Sequence, residues 1–383
     1  MTETILVTGA CGFTGSNMLE YLAEESPDAE IIATDLPGSD RGEYYVESPD
    51  SDDPQPVYYA EILDEMEVEF IPADLTEPEQ VADLVDAHEY DTVYNIASLY
   101  DYFAPREVLY EVNVNGARNL FSELAQQGDC RVVHWSTLGV LGDAGFEEPK
   151  SEEDGYHPDN RYCESKVAQE QVVRTFEDRL DITIIRPAPI YGPRHRYGVY
   201  NVLAFIESVG FVPVWQNYPR SYQRHFPCVH VDDIIRAADY LASYPDAVGE
   251  TYNVSSNPIK SDEMLKFFGE QLSRRAVPLP TPEPLYRLLA RITYSLVLRN
   301  EKRARANDER PLVEAPTVRY VTGNMWFSNQ KIKDTGFEFR YEDPRDGLRE
   351  YIEWCRDHGY LKPPAERTSR VDAVQKAITS YVP

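Results

Sequence analysis

The sequence predicts an α/β fold with a doubly wound parallel sheet, and three observations carry that expectation. Short apolar, strand-like runs alternate with segments of helical spacing over the first half of the chain. The first run leads straight into the glycine-rich turn Thr8-Gly-Ala-Cys-Gly-Phe-Thr-Gly15, which opens a helical pattern. An acidic residue, Asp35, closes the second run.

Taken in order, residues 4–7 read as a strand, 16–25 as an amphipathic helix and 30–34 as the second strand. Further strands are expected at 68–71, 92–96, 131–135 and 182–185, with helices around 78–87, 105–126 and 161–179. Between residues 37 and 67 lies an acidic stretch containing Pro and Tyr, longer than the usual connection, so it reads as an insertion whose later half forms a short helix. After Pro187 prolines and aromatics become frequent and the alternation loosens. The expected organisation is a sheet-bearing domain over 1–186 and a smaller carboxyl-terminal region over 187–362. Some segments of that region return to the sheet, and a loosely attached tail covers 363–383. Within the second region, residues 284–299 (PLYRLLARITYSLVLR) form an amphipathic helix, followed by the basic run EKRARANDER. It reads as a helix packed on the domain with a solvated basic end; the alternative is a lip touching a membrane or an apolar ligand.

Composition narrows the function. The formal charge of -29, from 66 acidic and 37 basic side chains, excludes a nucleic-acid partner, which needs a concentrated basic surface. Five scattered cysteines (Cys11, Cys130, Cys163, Cys228 and Cys355) form no CxxC pair, so neither a zinc site nor a disulfide framework is expected. No signal peptide or apolar run of membrane-spanning length is visible, and a cytoplasmic location is expected. Acidic residues spread along the whole length fit adaptation to high internal salt, where a dense carboxylate surface stays hydrated.

Two clusters carry chemistry. In the first, Gly9 permits a tight turn, Gly12 lets a pyrophosphate approach the backbone, and Gly15 lets the helix pack on the strand. Cys11, Phe13 and Thr14 complete the turn, and phosphates sit at the positive helix end. This is the arrangement of a Rossmann-type sheet. Asp35, twenty residues past Gly15, is placed to bind both ribose hydroxyls of NAD and to repel the extra phosphate of NADP. Arg41 nearby is the feature that keeps NADP as an alternative. The second cluster is Tyr162-Cys-Glu-Ser-Lys166, whose spacing puts phenol and ammonium on one helix face. A free phenol titrates near 10 and is a poor base at neutral pH; a nearby cation favours its ionised form. Ser136 and Thr137, ending the strand RVVHW, place hydroxyls at the carboxyl edge of the sheet, where ligands bind.

With these motifs the chain resembles the extended short-chain dehydrogenases/reductases. The resemblance rests on TGxxGxxG, a hydroxyl residue before an xVxG turn, YxxxK, and Arg186-Pro-Ala-Pro-Ile-Tyr-Gly-Pro193. It extends to Ala73-Asp74-Leu75, Asn95-Ile-Ala-Ser98, Asn113-Val-Asn-Gly116, Val229-His-Val-Asp-Asp233 and Tyr252-Asn-Val254, covering residues 4–355. It implies Tyr162 as general base, Lys166 on the nicotinamide ribose and Thr137, rather than Ser136, as the substrate-facing hydroxyl. It also implies Asp74 and Leu75 beside adenine; Ala97, Ser98, Asn113 and Pro187 are the remaining cofactor contacts. A homodimer through the helix bearing Tyr162 is implied as well.

Departures from the family pattern bear on the substrate. Leu138 and Gly139 follow the hydroxyl where dehydratases carry an Asp-Glu pair, so dehydration is not expected. Pro189 stands where many sugar-nucleotide epimerases have an Asn, and Arg224 is displaced by two residues from their diphosphate-binding Arg. The segment 97–103 and the helix near 285–298 are closer to the 3β-hydroxysteroid dehydrogenase-like branch. The expected pocket residues are Leu99, Tyr100, Tyr102, Thr137, Ala188, Pro189, Arg194, Tyr197 and Arg224, around an apolar alcohol or ketone. Nucleotide-sugar epimerisation is the alternative, and a non-catalytic NAD sensor the third reading. If the acidic surface is a salt adaptation, the melting temperature rises steeply with molar KCl in a thermal scan; indifference to salt refutes it.

Overall fold

Strands β1 (Thr4–Thr8), β2 (Glu30–Thr34), β4 (Thr92–Asn95), β5 (Arg131–Trp135), β6 (Asp181–Pro187) and β7 (Thr251–Val254) are mostly buried on both faces, as strands of a sheet covered on both sides must be, while the short edge strand β3 (Glu69–Phe70) is not. The computed structural model describes residues 2–39, 66, 68–195, 197–307, 309 and 314–362. The sheet order is β7-β6-β5-β4-β1-β2-β3, with every pair parallel. Helices α1 (Phe13–Glu25), α2 (Pro78–Ala87), α3 (Gly116–Gln127), α4 (Arg161–Arg174) and α5 (Val231–Ser243) flank it. Along β1 the alternation is visible residue by residue. Ile5 and Val7 join Met18, Leu19 and Leu22 of α1 and Ile234 and Leu241 of α5 on one face. Leu6 joins Leu84, Leu120, Phe121 and Val173 on the other. From β1 the chain winds outward to β2 and β3, then crosses back to β4 on the opposite side, so a crevice opens at the carboxyl ends of β1 and β4.

Several elements differ from the sequence expectation, among them the helix expected over 161–179, which ends at Arg174. Helix α1 begins at Phe13, three residues early, because Gly12 is its amino cap. The helix expected over 105–126 is broken into Arg106–Tyr110, a π-helical turn Glu111–Asn115, and α3. That π turn carries Asn113, fully buried, toward the crevice. The amphipathic helix runs over Glu283–Ala306 and takes in much of the basic run. Arg303 and Arg305 lie in its last turn, where cations oppose the negative helix end. Most of the expected acidic insertion and the whole expected tail lie outside the described residues.

The carboxyl-terminal region has its own core of Val199, Leu203, Ile206, Val212, Phe268 and Tyr351. Strands Phe211–Tyr218 and Arg275–Pro282 pair there in parallel and lead into Glu283–Ala306. Arg224, expected at the substrate, is used instead to fasten that helix. Its guanidinium donates to the Glu283 carboxylate at 3.0 and 3.1 Å and to the Thr322 carbonyl at 2.7 Å, and lies 3.8 Å from the Tyr286 ring centre. The displacement of two residues noted in the sequence therefore has a structural role. Glu283→Ala leaves the buried Arg224 without its carboxylate, and a loss of about 3 kcal/mol in chemical denaturation is expected.

Candidate active site

The glycine turn is built by close backbone packing. Gly9 has φ +66, and a Cβ there would lie 2.9 Å from the Cα of Ala97. A Cβ on Gly15 would stand 2.1 Å from the carbonyl oxygen of Gly9, so the first turn of α1 rests directly on the turn before it. Gly12, Phe13, Thr14 and Gly15 line the crevice, and the free N–H groups of the helix start open onto it. Cys11 contributes its N–H to Asp35 Oδ2 at 2.9 Å, while Oδ1 accepts from Leu36 N–H at 2.8 Å. Burial raises the Asp35 pKa and those two N–H bonds oppose the rise. The end of β1 is tied to β4 through Thr8, which donates to Asn95 at 2.9 Å and accepts the N–H groups of Ile96 and Ala97 at 3.1 Å. Asp74 and Leu75 line the same crevice; Asp74 Oδ1 accepts from Thr76, and the Leu75 carbonyl is held by Asn119.

Helix α4 is capped by Asn160, whose side chain accepts the Cys163 N–H at 2.9 Å. One turn in, Tyr162 and Lys166 both line the cleft. Lys166 is 1% exposed, and its Nζ donates to the Trp135 carbonyl at 2.8 Å and to Ser98 Oγ at 3.4 Å. Burial lowers its pKa to about 7. Burial likewise pushes the Tyr162 phenol up, against a hydrogen bond with Ser98 that lowers it. Ser98 thus stands between phenol and amine. Its own hydroxyl donates to Asn113 Oδ1 at 3.1 Å, and Asn113 also accepts Leu99 N–H at 2.7 Å and donates to Ser165 at 3.0 Å. Asn113 therefore acts from behind the wall. The two hydroxyls ending β5 separate in role. Ser136 also lines the cleft, but its hydroxyl donates to Glu170, which is clamped by Arg186 at 2.9 and 2.7 Å and by Tyr156 at 2.8 Å, so Ser136 is held in a buried network. Thr137 lines the cleft and accepts the Gly139 N–H at 3.2 Å.

The cleft holds about 780 Å³. Beyond Tyr162 its wall is aromatic and aliphatic. Tyr100 meets Tyr162 edge-on at 4.9 Å and Tyr197 at 5.5 Å, and Tyr102 lies 5.8 Å from Tyr162. Leu99, Pro187, Ala188 and Pro189 line it as well. Arg194, expected there, is instead paired with Glu20 on α1. Tyr102 was expected as a pocket residue and lines the cleft, whereas sequence reasoning did not single out His195, Met325 or Phe327 for it. His195 stacks on Phe13 at 4.4 Å. Met325 and Phe327 reach the wall because the segment after Gly323 runs back along Ala144 and Lys150, a placement no local pattern announces.

The description "NAD dependent epimerase/dehydratase family" matches residues 5–255, well over half the chain. The chain belongs to the NAD-dependent epimerase/dehydratase family. Among its relatives is an N-acetyl-alpha-D-glucosaminyl-diphospho-ditrans,octacis-undecaprenol 4-epimerase of Escherichia coli O157:H7, 24% identical over 74% of this chain and 77% of that protein. Another is the decarboxylating sterol-4-alpha-carboxylate 3-dehydrogenase of Candida albicans, 26% identical over 51% of this chain and 52% of its own length. A dTDP-glucose 4,6-dehydratase of Bacillus anthracis, solved with NAD, shares the fold at a TM-score of 0.64 and 18% identity, covering 93% of this chain and 97% of that one.

This family member is an enzyme that uses NAD. The glycine turn, where side chains are excluded, and the Asp35 carboxylate at the end of β2 fit the cofactor's pyrophosphate and ribose. The buried amine predicts a pH dependence of stability without cofactor. Lys166 titrates at about 7 when folded and at its ordinary 10.5 when unfolded, so between these values the unfolded chain binds a proton that the folded one does not. Stability therefore rises with pH across that window, by on the order of 4 kcal/mol, and the full penalty applies below it. Chemical denaturation at pH 7 and pH 9 should show about 2 kcal/mol of this rise, with a smaller one in Lys166→Met; equal slopes refute it.

Proposed function

We propose that the enzyme catalyses reversible oxidation of a secondary alcohol to a ketone on an apolar substrate of sterol or isoprenoid character. Bound NAD supplies the hydride acceptor and donor. Tyr162, reacting as its phenolate, takes the hydroxyl proton at its oxygen as the carbonyl forms, and as the phenol gives it back in the reverse direction. Thr137 orients the reacting oxygen. Lys166 and Ser98 hold the phenol and the nicotinamide ribose in register. The observation that carries the apolar reading is the wall of Leu99, Tyr100, Tyr102, Tyr197, Met325 and Phe327 facing Tyr162. The two arginines expected at the pocket, which a diphosphate would need, point the same way: Arg194 pairs with Glu20 and Arg224 with Glu283.

Epimerisation of a sugar diphosphate is the second reading, favoured by the name of the Escherichia coli relative. It shares the first half-reaction and differs in returning the hydride to the other face of a rotated intermediate. The acidic surface extends the proposal to a working environment of molar salt.

The deciding experiment incubates the purified enzyme, in high salt with NAD, with sterol or isoprenoid alcohols and separately with UDP- or GDP-sugars. Net NADH and a ketone from the first set are expected. An altered sugar without net NADH overturns the proposal in favour of epimerisation. In either case Tyr162→Phe should lose at least a hundredfold in kcat while NAD binding by calorimetry stays within a few fold; unchanged turnover would remove Tyr162 from the chemistry.

A further inference from the structure

The helix Glu283–Ala306 is amphipathic in the inverted sense. Its inward side carries Glu283, Tyr286 and Ala304, all buried. Its outward side carries Leu285, Leu288, Leu289, Ile292 and Leu296, 40–58% exposed and spaced by three and four residues into one stripe. An ordinary surface helix turns such a stripe to the core. The exposed aromatics Phe211, Trp215 and Tyr218 sit on the strand that packs beside this helix, and Trp215 meets Tyr286 edge-on at 6.0 Å. Large contiguous apolar patches on a soluble face mark interaction surfaces.

Charge identifies the occupant. The chain as a whole carries -29, yet this one helix holds six basic and two acidic residues. Arg287, Arg291, Arg299, Lys302 and Arg303 are exposed. By helical spacing Arg299 and Arg303 continue the apolar stripe toward the carboxyl end, while Arg291 and Lys302 flank one edge. An apolar stripe bordered by cations is the pattern of a helix lying in the headgroup plane of an anionic bilayer. A second copy of the chain is the other occupant such a stripe could take, and the test below distinguishes it. No helix among the described residues is long and apolar enough to span a membrane, so the contact is one of surface insertion.

We propose that Glu283–Ala306 docks the enzyme on an anionic lipid surface, with the stripe Leu285–Leu296 inserted at the boundary between headgroups and acyl chains. The opposite, packed side of the same helix lies beside the cleft. The Arg305 guanidinium lies 3.9 Å from the ring centre of Phe103, next to the pocket residue Tyr102. The helix also packs on Ala315–Thr322, whose Pro316 lines the cleft. Docking would hold the cleft mouth near the bilayer, where a substrate with a long apolar tail is found.

The test is flotation of the purified full chain with vesicles of phosphatidylglycerol mixed with phosphatidylcholine, and with phosphatidylcholine alone, at a salt concentration where the protein is folded. Binding to the anionic vesicles is expected, weaker by at least tenfold on phosphatidylcholine alone. The variant L288E/I292E/L296E changes only exposed side chains and should lose at least tenfold in vesicle binding while keeping its melting temperature and NAD affinity. R299E/R303E should lose the preference for anionic vesicles. Vesicle binding reads this face whatever the substrate proves to be. Absence of flotation, equal flotation of the triple variant, or a dimer in sedimentation that the triple variant dissociates would each overturn lipid docking, the last in favour of a subunit interface.

Discussion

An amine buried to 1% exposure in the wall of a cleft is the constraint on which the rest of the site depends. An unpaired ammonium there would be costly, and the fold answers with oxygen acceptors rather than a carboxylate in direct contact. The Trp135 carbonyl, at the end of β5, is one acceptor and Ser98, just past β4, the other. Two adjacent strand ends are thus fixed relative to α4 by one side chain. Asn113 completes the arrangement from the π-helical turn, bonding Ser98, Leu99 and Ser165 together. A regular helix through 111–115 would turn that amide to a different direction, which gives the irregularity a physical purpose.

A second buried polar cluster stands behind the first. Glu170, one turn past Lys166 on α4, takes a two-pronged bond from Arg186 on β6 and further bonds from Ser136 and Tyr156. Burial works against the Glu170 carboxylate, yet the Arg186 bonds and charge outweigh it and hold its pKa below the ordinary value. Because Ser136 precedes Thr137, this network sets the position of the hydroxyl that faces the cleft. The negative charge of Glu170 also raises the Lys166 pKa in opposition to burial, so the two clusters are electrostatically linked.

Much of this was legible in the sequence because it is encoded locally. The glycine turn, Asp35 and the Tyr162/Lys166 spacing depend on residues close in the chain, and strand periodicity located six of the seven strands of the sheet to within a few residues, missing Thr251–Val254. What escaped depends on distant partners. A lone arginine near a motif reads as a ligand-binding cation, but Arg194 and Arg224 found carboxylates at Glu20 and Glu283, 174 and 59 residues away. The family resemblance already preferred Thr137 to Ser136, but the partner that engages Ser136, Glu170, lies 34 residues away and was not visible. The π turn was hidden because Arg106–Gln127 keeps helical periodicity on either side of it. Met325 and Phe327 enter the cleft through pairing across more than 170 residues, which no window of sequence contains.

The long helix shows how one sequence pattern supports two opposite structures. Apolar periodicity alone says that Leu285, Leu288, Leu289, Ile292 and Leu296 share a face, and the ordinary inference is that this face is buried. Which face turns inward is decided by the anchors at its ends. Glu283 must reach the buried Arg224, and Tyr286 must lie beneath the guanidinium, so the first turn is fixed with those residues inward. At the other end Ala304 is buried and Arg305 covers Phe103. With both ends fixed, the leucine stripe has no route to the core, and a buried ion pair sets the exposure of an apolar surface roughly 16 Å of helix long. The same ion pair therefore governs both the stability of the carboxyl-terminal region and the orientation of the face it presents to its surroundings.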